Sequence, residues 1–135
     1  MVKNVPSVVL DTNILISGLF FGGNPKEILE LIKARKISAA TSPVLLAELG
    51  DVLSKKFKYP QVRVQQVEKK LKQWCQVVYP EETIGIVRDD DDNRVLEAAL
   101  AGGCDYLVTG DEDLLDLKKY KNIKILTPNE FIEMV

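Results

Sequence analysis

Carboxylates stand at the places where this chain leaves its apolar segments. Val8-Val9-Leu10 runs into Asp11, and Tyr106-Leu107-Val108-Thr109-Gly110 runs into Asp111. Glu48 interrupts an apolar helical pattern, with Leu45 three residues before it and Val52 four residues after. Asp92 stands one helical turn ahead of Val95 and Leu96. The chain has no histidine. That removes Ser-His-Asp and Cys-His nucleophiles, imidazole bases and histidine-ligated zinc from consideration. Gly22-Gly23-Asn24-Pro25 lacks the Gly-Lys-Ser/Thr ending of a phosphate-binding loop. What remains is carboxylate oxygen, the preferred ligand of hard divalent cations. A cation held this way is suited to cleaving a phosphodiester.

Each acid also has a plainer reading. Asp11 at a strand end is a common turn residue. However, Thr12 and Asn13 extend the polar stretch before Ile14-Leu15-Ile16 resumes, and polar groups between core segments need partners, at about 1–3 kcal/mol each if left without one. Glu48 shares a face with core residues, where a carboxylate is rare unless paired. A salt bridge from a distant segment would serve as well as a cation. In Asp89-Asp90-Asp91-Asp92-Asn93 the acids favour the start of a helix by capping it and complementing its dipole. Asp92 falls on the inward side, and the other three read as solvated neighbours. Asp111 and Asp113 could each cap the helix carrying Leu114 and Leu115, a role compatible with binding a metal.

The elements that must position these acids alternate between strand and helix. Strands are expected at Ser7–Leu10, Ile37–Ala40, Val77–Tyr79, Tyr106–Val108 and Ile123–Leu126, with a short extended piece from Thr83 to Val87. The first helix expected has Pro25 in its first turn and ends at the cations of Lys33-Ala34-Arg35-Lys36. Ser42 caps the next, which runs from about Pro43 to Phe57, and a more basic helix follows from Pro60 to about Trp74. Later helices start after Asp92, closed by Gly102-Gly103, and span Leu114–Tyr120 and Pro128–Met134. Alternation of this kind implies a mostly parallel sheet covered on both faces. In such a sheet, ligands sit beyond the carboxyl ends of the strands where the strand order reverses. If the first and fourth strands are neighbours, Asp11 and Asp111 flank that crevice.

Bulk properties fit one α/β/α domain spanning residues 1–135. The chain is 46% hydrophobic and 28% charged, with a net charge of −2, so contact with nucleic acid must come from local cationic patches or bound ions. Cys75 and Cys104 lack CxxC spacing and read as reduced, partly buried thiols. No apolar run approaches the roughly 18 residues of a membrane span, and Asp11 cuts short any secretory signal in Met1-Val2-Lys3-Asn4-Val5-Pro6. A cytoplasmic location without membrane attachment is the expectation.

Four segments together resemble the PIN-domain family, in particular its prokaryotic VapC-like toxin branch. They are Val9-Leu10-Asp11-Thr12-Asn13-Ile14-Leu15, Leu46-Ala47-Glu48-Leu49, Asp91-Asp92-Asn93-Arg94-Val95-Leu96-Glu97-Ala98-Ala99 and Val108-Thr109-Gly110-Asp111-Glu112-Asp113-Leu114. The resemblance runs from Asp11 through Asp113. It implies a three-layer α/β/α sandwich around a five-stranded parallel sheet, and a ribonuclease site using Mg2+ or Mn2+. By position, Asp11, Glu48, Asp92 and Asp111 match the family's acidic quartet, both catalytic and metal-ligating. Asn13, Thr109 and Asp113 match its accessory polar positions. Asp90 departs from the pattern, standing where close relatives often have proline.

On this reading Asp11 and Asp111 are central ligands, while Glu48 and Asp92 flank them. One or two ions activate a water for in-line attack on the phosphodiester. Lys55, Lys56 and Lys58 are candidate RNA contacts, although lysines at helix ends are usually just solvated. The resemblance further implies an antitoxin partner and a homodimer, for which Phe20, Phe21 and Trp74 are interface candidates. Three readings compete with the nuclease. One is a non-catalytic module binding RNA or protein. Another is a phospho-acceptor receiver domain, disfavoured because Thr12 and Asn13 follow Asp11. The last is a haloacid-dehalogenase phosphatase, whose Asp-x-Asp is broken by Asn13.

Overall fold

Ser7–Leu10 forms strand β1, and every residue after Ser7 in it is buried. Val8 and Leu10 face one side while Val9 faces the other, so both faces of this strand must be covered. The computed structural model describes residues 5–135. The expectation about a secretory signal falls partly on residues 1–4, which lie outside the described residues.

The sheet has the order β3-β2-β1-β4-β6-β5, built from β1, β2 (Ser38–Thr41), β3 (Gln76–Val77), β4 (Tyr106–Val108), β5 (Lys119–Tyr120) and β6 (Ile123–Leu126). Strands appear at all five expected places and are mutually parallel, although the third is only Gln76–Val77 where Val77–Tyr79 was expected. The sixth, β5, is added at one edge and pairs antiparallel with β6. This corrects the expected helix over Leu114–Tyr120: helix α6 is shorter, Glu112–Leu117. Lys118 adopts φ 63°, a left-handed conformation that ends the helix and turns the chain back along β6.

Helices cover both faces in three layers. On one face lie α1 (Thr12–Phe20), α2 (Gly23–Lys33), α3 (Pro43–Lys55), α4 (Gln61–Trp74) and α7 (Pro128–Met134), packed over Val8 and Leu10. On the other, α5 (Asp90–Ala101) and α6 pack over Val9, Ala40 and Leu107. Helix α1 starts directly after β1 and was not expected as a helix. Its residues Ile14, Leu15 and Ile16 are all buried, so the usual amphipathic stripe is missing from its sequence. Close approach to α2 is part of the reason, since a Cβ on Gly18 would come within 2.7 Å of Leu29 Cδ1 and 2.8 Å of Pro25 O.

The expected extended piece over Thr83–Val87 is not a strand. It is an irregular segment held onto α5 by side chains. Asn93 accepts from the Ile86 and Val87 N–H groups, each at 3.1 Å, and donates to Val87 O at 2.9 Å. Glu97 accepts from Ile84 N at 2.8 Å. Two side chains thus fix the approach to Asp89, the N-cap of α5.

Strands β1 and β4 are adjacent. The chain moves outward from β1 through β2 to β3, then returns to place β4 on the other side of β1. The strand order therefore reverses between β1 and β4.

Candidate active site

Asp11 and Asp111 occupy that reversal point because each ends a strand and begins a helix. Asp11 N donates to Val108 O at 3.0 Å, extending the β1–β4 ladder by one residue. Its side chain caps α1, with Oδ1 accepting from Thr12 N at 2.7 Å. Asp111 caps α6, with Oδ2 accepting from Leu114 N at 3.1 Å. Both carboxylates thus lie at positively polarised helix starts.

Thr109 links the two. It is fully buried, donates to Asp11 Oδ2 at 2.8 Å and accepts from Asp111 N at 3.0 Å. Thr12 does the same for Glu48: its hydroxyl donates to Glu48 Oε1 at 2.9 Å, joining α1 to α3. A buried threonine beside each acid holds its rotamer in place. Thr12 was not among the expected site residues, although its polar side chain between core segments was the available signal.

Asp92 is buried at 7% exposure, and its Oδ2 has no hydrogen-bond partner. Burial pushes its carboxyl up to about 7. A hydrogen-bonded contact with Asp111, which favours the protonated form, adds to this, as do the charges of Asp111, Asp11 and Asp89. Burial likewise raises Asp11, against the opposing hydrogen bonds from Thr109 and Thr12, with Asp111 and Asp89 adding to the rise. Glu48 is raised by burial and by Asp91, Asp11 and Asp89, while the Thr12 hydrogen bond lowers it. The four expected acids therefore share one electrostatic neighbourhood. Asp89 and Asp91, read from sequence as solvated, belong to it too.

The remaining expected residues lie outside this inner group. Asn13 is exposed in the first turn of α1, with no side-chain hydrogen bond among the described residues. Asp113 pairs with Arg88 at 3.2 Å, tying α6 to the segment before Asp89. Lys55, Lys56 and Lys58 are exposed around the end of α3. Cys75 and Cys104 take no part: burial pushes their thiols up to about 11 and about 12, leaving neither as thiolate near neutral pH. A cavity of about 600 Å3 opens at the amino edge of the sheet and is lined by Ser7, Arg35, Trp74 and Gly102. It has no carboxylate in its wall and offers a hard cation nothing.

Among the described residues, no three acidic or cysteine side chains already stand at metal-ligating distance from one point. The donor set nevertheless suits a hard divalent ion: only oxygens are present, several like charges are pressed together, and one buried carboxylate oxygen lacks a partner. Most of the other oxygens accept from threonine hydroxyls or backbone N–H groups, which orient them.

Comparison with known proteins agrees with this architecture. The model of the PIN domain family matches residues 7–113. The uncharacterized protein MJ1680 of Methanocaldococcus jannaschii is 37% identical, over 93% of this chain and 89% of that protein. Among solved structures, VapBC2 from Rickettsia felis bound to a DNA fragment from its promoter aligns with a TM-score of 0.60 at 19% identity, covering 88% of this chain and 96% of that one. PAE2754 from Pyrobaculum aerophilum aligns with a TM-score of 0.62 at 18% identity, covering 96% and 89%. The PIN domain of T. brucei RRP44 aligns with a TM-score of 0.54 at 18% identity, covering 97% and 81%. A family match over that much of the sequence leaves one conclusion: the chain belongs to the PIN domain family, a family of nucleases.

Proposed function

We propose that residues 1–135 form a single metal-dependent endoribonuclease domain, hydrolysing RNA phosphodiester bonds by in-line attack of an activated water. The observation that carries this reading is the buried carboxylate group at the β1–β4 reversal point, with Asp92 Oδ2 left unpartnered beside Asp11 and Asp111. Asp11 and Asp111 are the central ligands for Mg2+ or Mn2+, with Glu48 and Asp92 flanking. When bound, the ion supplies Lewis acidity and neutralises phosphate charge.

The chain's own residues do the rest. Thr109 and Thr12 hold Asp11 and Glu48 in fixed rotamers. Asn93 and Glu97 fix the segment that delivers Asp89 and Asp92. Asp92, whose carboxyl is raised by burial and by the neighbouring acids when no ion is present, is the group whose charge a bound cation would most relieve. Asn13 and Asp113 are accessory polar groups at the rim. On this reading the protein is a cytoplasmic toxin working as a homodimer with an antitoxin partner; the similarity in fold to the VapBC2 structure supports the partner. No helix among the described residues is long and apolar enough to cross a membrane.

Incubation of the protein with single-stranded RNA and Mg2+ or Mn2+ tests the reading. Cleavage should fall by more than about 100-fold in Asp11→Asn, because loss of a direct ligand exceeds the usual cost of disturbing an outer-shell partner. Undiminished cleavage in that variant, or in excess chelator, would falsify the assignment. Binding of RNA without cleavage under any divalent ion would favour a non-catalytic module instead.

A further inference from the structure

The ends of α1 and α3, with the turn into α4, build a surface that the carboxylate site does not use. Phe20 stacks on Phe57 with ring centroids 4.9 Å apart and planes inclined by 16°. Tyr59 meets Phe20 edge-on at 5.7 Å. These rings lean on the core and support Phe21, which lies 6.5 Å from Phe57 and is 72% exposed. The Arg63 guanidinium lies 4.2 Å over the Tyr59 ring and donates to its hydroxyl at 3.3 Å.

Charge along the stretch that ends α3 and enters α4 is of one sign. From Ser54 to Val67 the chain carries Lys55, Lys56, Lys58 and Arg63 and no acid, although its net charge is −2. The nearest preceding acid on α3 is Asp51, one turn earlier. None of the four cations forms a salt bridge among the described residues.

We infer that this surface binds the backbone and bases of single-stranded RNA, with Phe21 as a stacking face and Lys55, Lys56 and Lys58 on the phosphates. The inference rests on the nuclease reading above and extends it to substrate capture. Flat faces beside unpaired cations are what a single strand requires, because every base presents a π face and every linkage a negative charge. A duplex hides its bases and would leave Phe21 unused.

A second copy of the chain fits less well, since a two-fold interface here would bring two cationic stretches together. An amphipathic helix from a partner seeks a groove, whereas Phe21 stands off the surface. The path to the site is short. Helix α1 runs from Asp11 to Phe20, about 14 Å along its axis, and α3 runs about 10 Å from Glu48 to Lys55. A strand stacked on Phe21 reaches the carboxylates within a few nucleotides.

Binding is measured by fluorescence anisotropy of a short, unstructured, labelled oligoribonucleotide, with chelator present so that no cleavage occurs. Phe21→Leu keeps an apolar side chain at an exposed position but removes the ring. It should weaken binding by about 5- to 100-fold, and Phe21→Trp should restore it. The triple variant Lys55→Gln, Lys56→Gln, Lys58→Gln should lower the slope of log Kd against log salt by about 2. The same oligonucleotide annealed to its complement should show no effect of Phe21→Leu.

Wild-type binding and salt slope in these variants would overturn the inference while leaving cleavage, and so the nuclease reading, intact. Wild-type cleavage failing while Phe21→Leu still weakens binding would overturn the nuclease reading alone. A fall from dimer to monomer in Phe21→Leu, seen by sedimentation with RNA affinity unchanged, would assign the surface to a second copy instead.

Discussion

Helix α5 carries two carboxylates that the fold hides almost equally, Asp92 at 7% exposure and Glu97 at 8%. Their surroundings are opposite. Glu97 Oε2 accepts from Arg94 Nη2 at 2.7 Å and from Ile84 N at 2.8 Å, so its charge is matched by a neighbouring cation. Asp92 has an oxygen with no partner and faces Asp111, Asp11 and Asp89. Burial by itself therefore does not distinguish a structural acid from a chemical one. The sign of the neighbouring charge does, because a low-dielectric environment strengthens attraction and repulsion alike. Glu97 holds a loop in place, and Asp92 stores unfavourable electrostatic energy that a cation would relieve.

Truncating Glu97 should have the largest effect on stability. Glu97→Ala leaves the Arg94 charge partly buried and Ile84 N without its acceptor, and should cost about 3 kcal/mol, read as a lowered urea midpoint. A loss below about 1 kcal/mol would mean that the pair is not the structural half of the contrast.

Asp92→Asn should act in the opposite direction. Folded, Asp92 titrates at about 7 against an ordinary value of 3.8. Between those values the folded state holds more protons than the unfolded state, so stability falls as pH rises through the window and levels off above it. Asparagine cannot ionise. In chelator, the variant should match wild type near pH 4 and exceed it by about 1–3 kcal/mol at pH 8, since each tenfold change in proton affinity is worth about 1.4 kcal/mol. Adding Mg2+ should then raise the Tm of wild type more than that of the variant, increasingly so above pH 7, where no proton competes. A variant less stable than wild type at pH 8 without metal would place Asp92 in the same class as Glu97.

Thr109→Val should have the smallest effect, sharpening the role of the threonines. It nearly preserves volume while removing the donor to Asp11 and the acceptor for Asp111 N. About 1 kcal/mol of stability and on the order of 10-fold in cleavage rate should be lost. Equal rates in variant and wild type would mean that Asp11 holds its rotamer without help.

Much of the fold was legible because its signals are local. Apolar runs of strand length, Ser42 before Pro43 and the glycines after Ala101 are read within a few residues of the features they set, and the expected strands and most helices appear where these signals lie. Helix α1 was missed because it is short and its apolar residues come as a consecutive run, Ile14-Leu15-Ile16, from which a helical period cannot be read. Strand β5 was missed because its pairing partner, β6, and the left-handed turn at Lys118 decide it. At the site, strand ends marked Asp11 and Asp111. Nothing local separated Asp89 and Asp91, which act on Glu48 and Asp92 through space, from solvated neighbours in the same acidic run.

By itself, the sequence determined which chemistry was open to this protein. Without histidine, and with acids closing its apolar runs, carboxylate oxygen was the available ligand. It also determined where strands and helices begin, since caps and apolar periods are properties of neighbouring residues. Tertiary structure decided which carboxylates are opposed and which are paired. It set β1 beside β4, brought Asp92 against Asp111 and gave Glu97 to Arg94. Charge–charge energies depend on distance and burial between segments far apart in the chain, and neither exists until the sheet has closed.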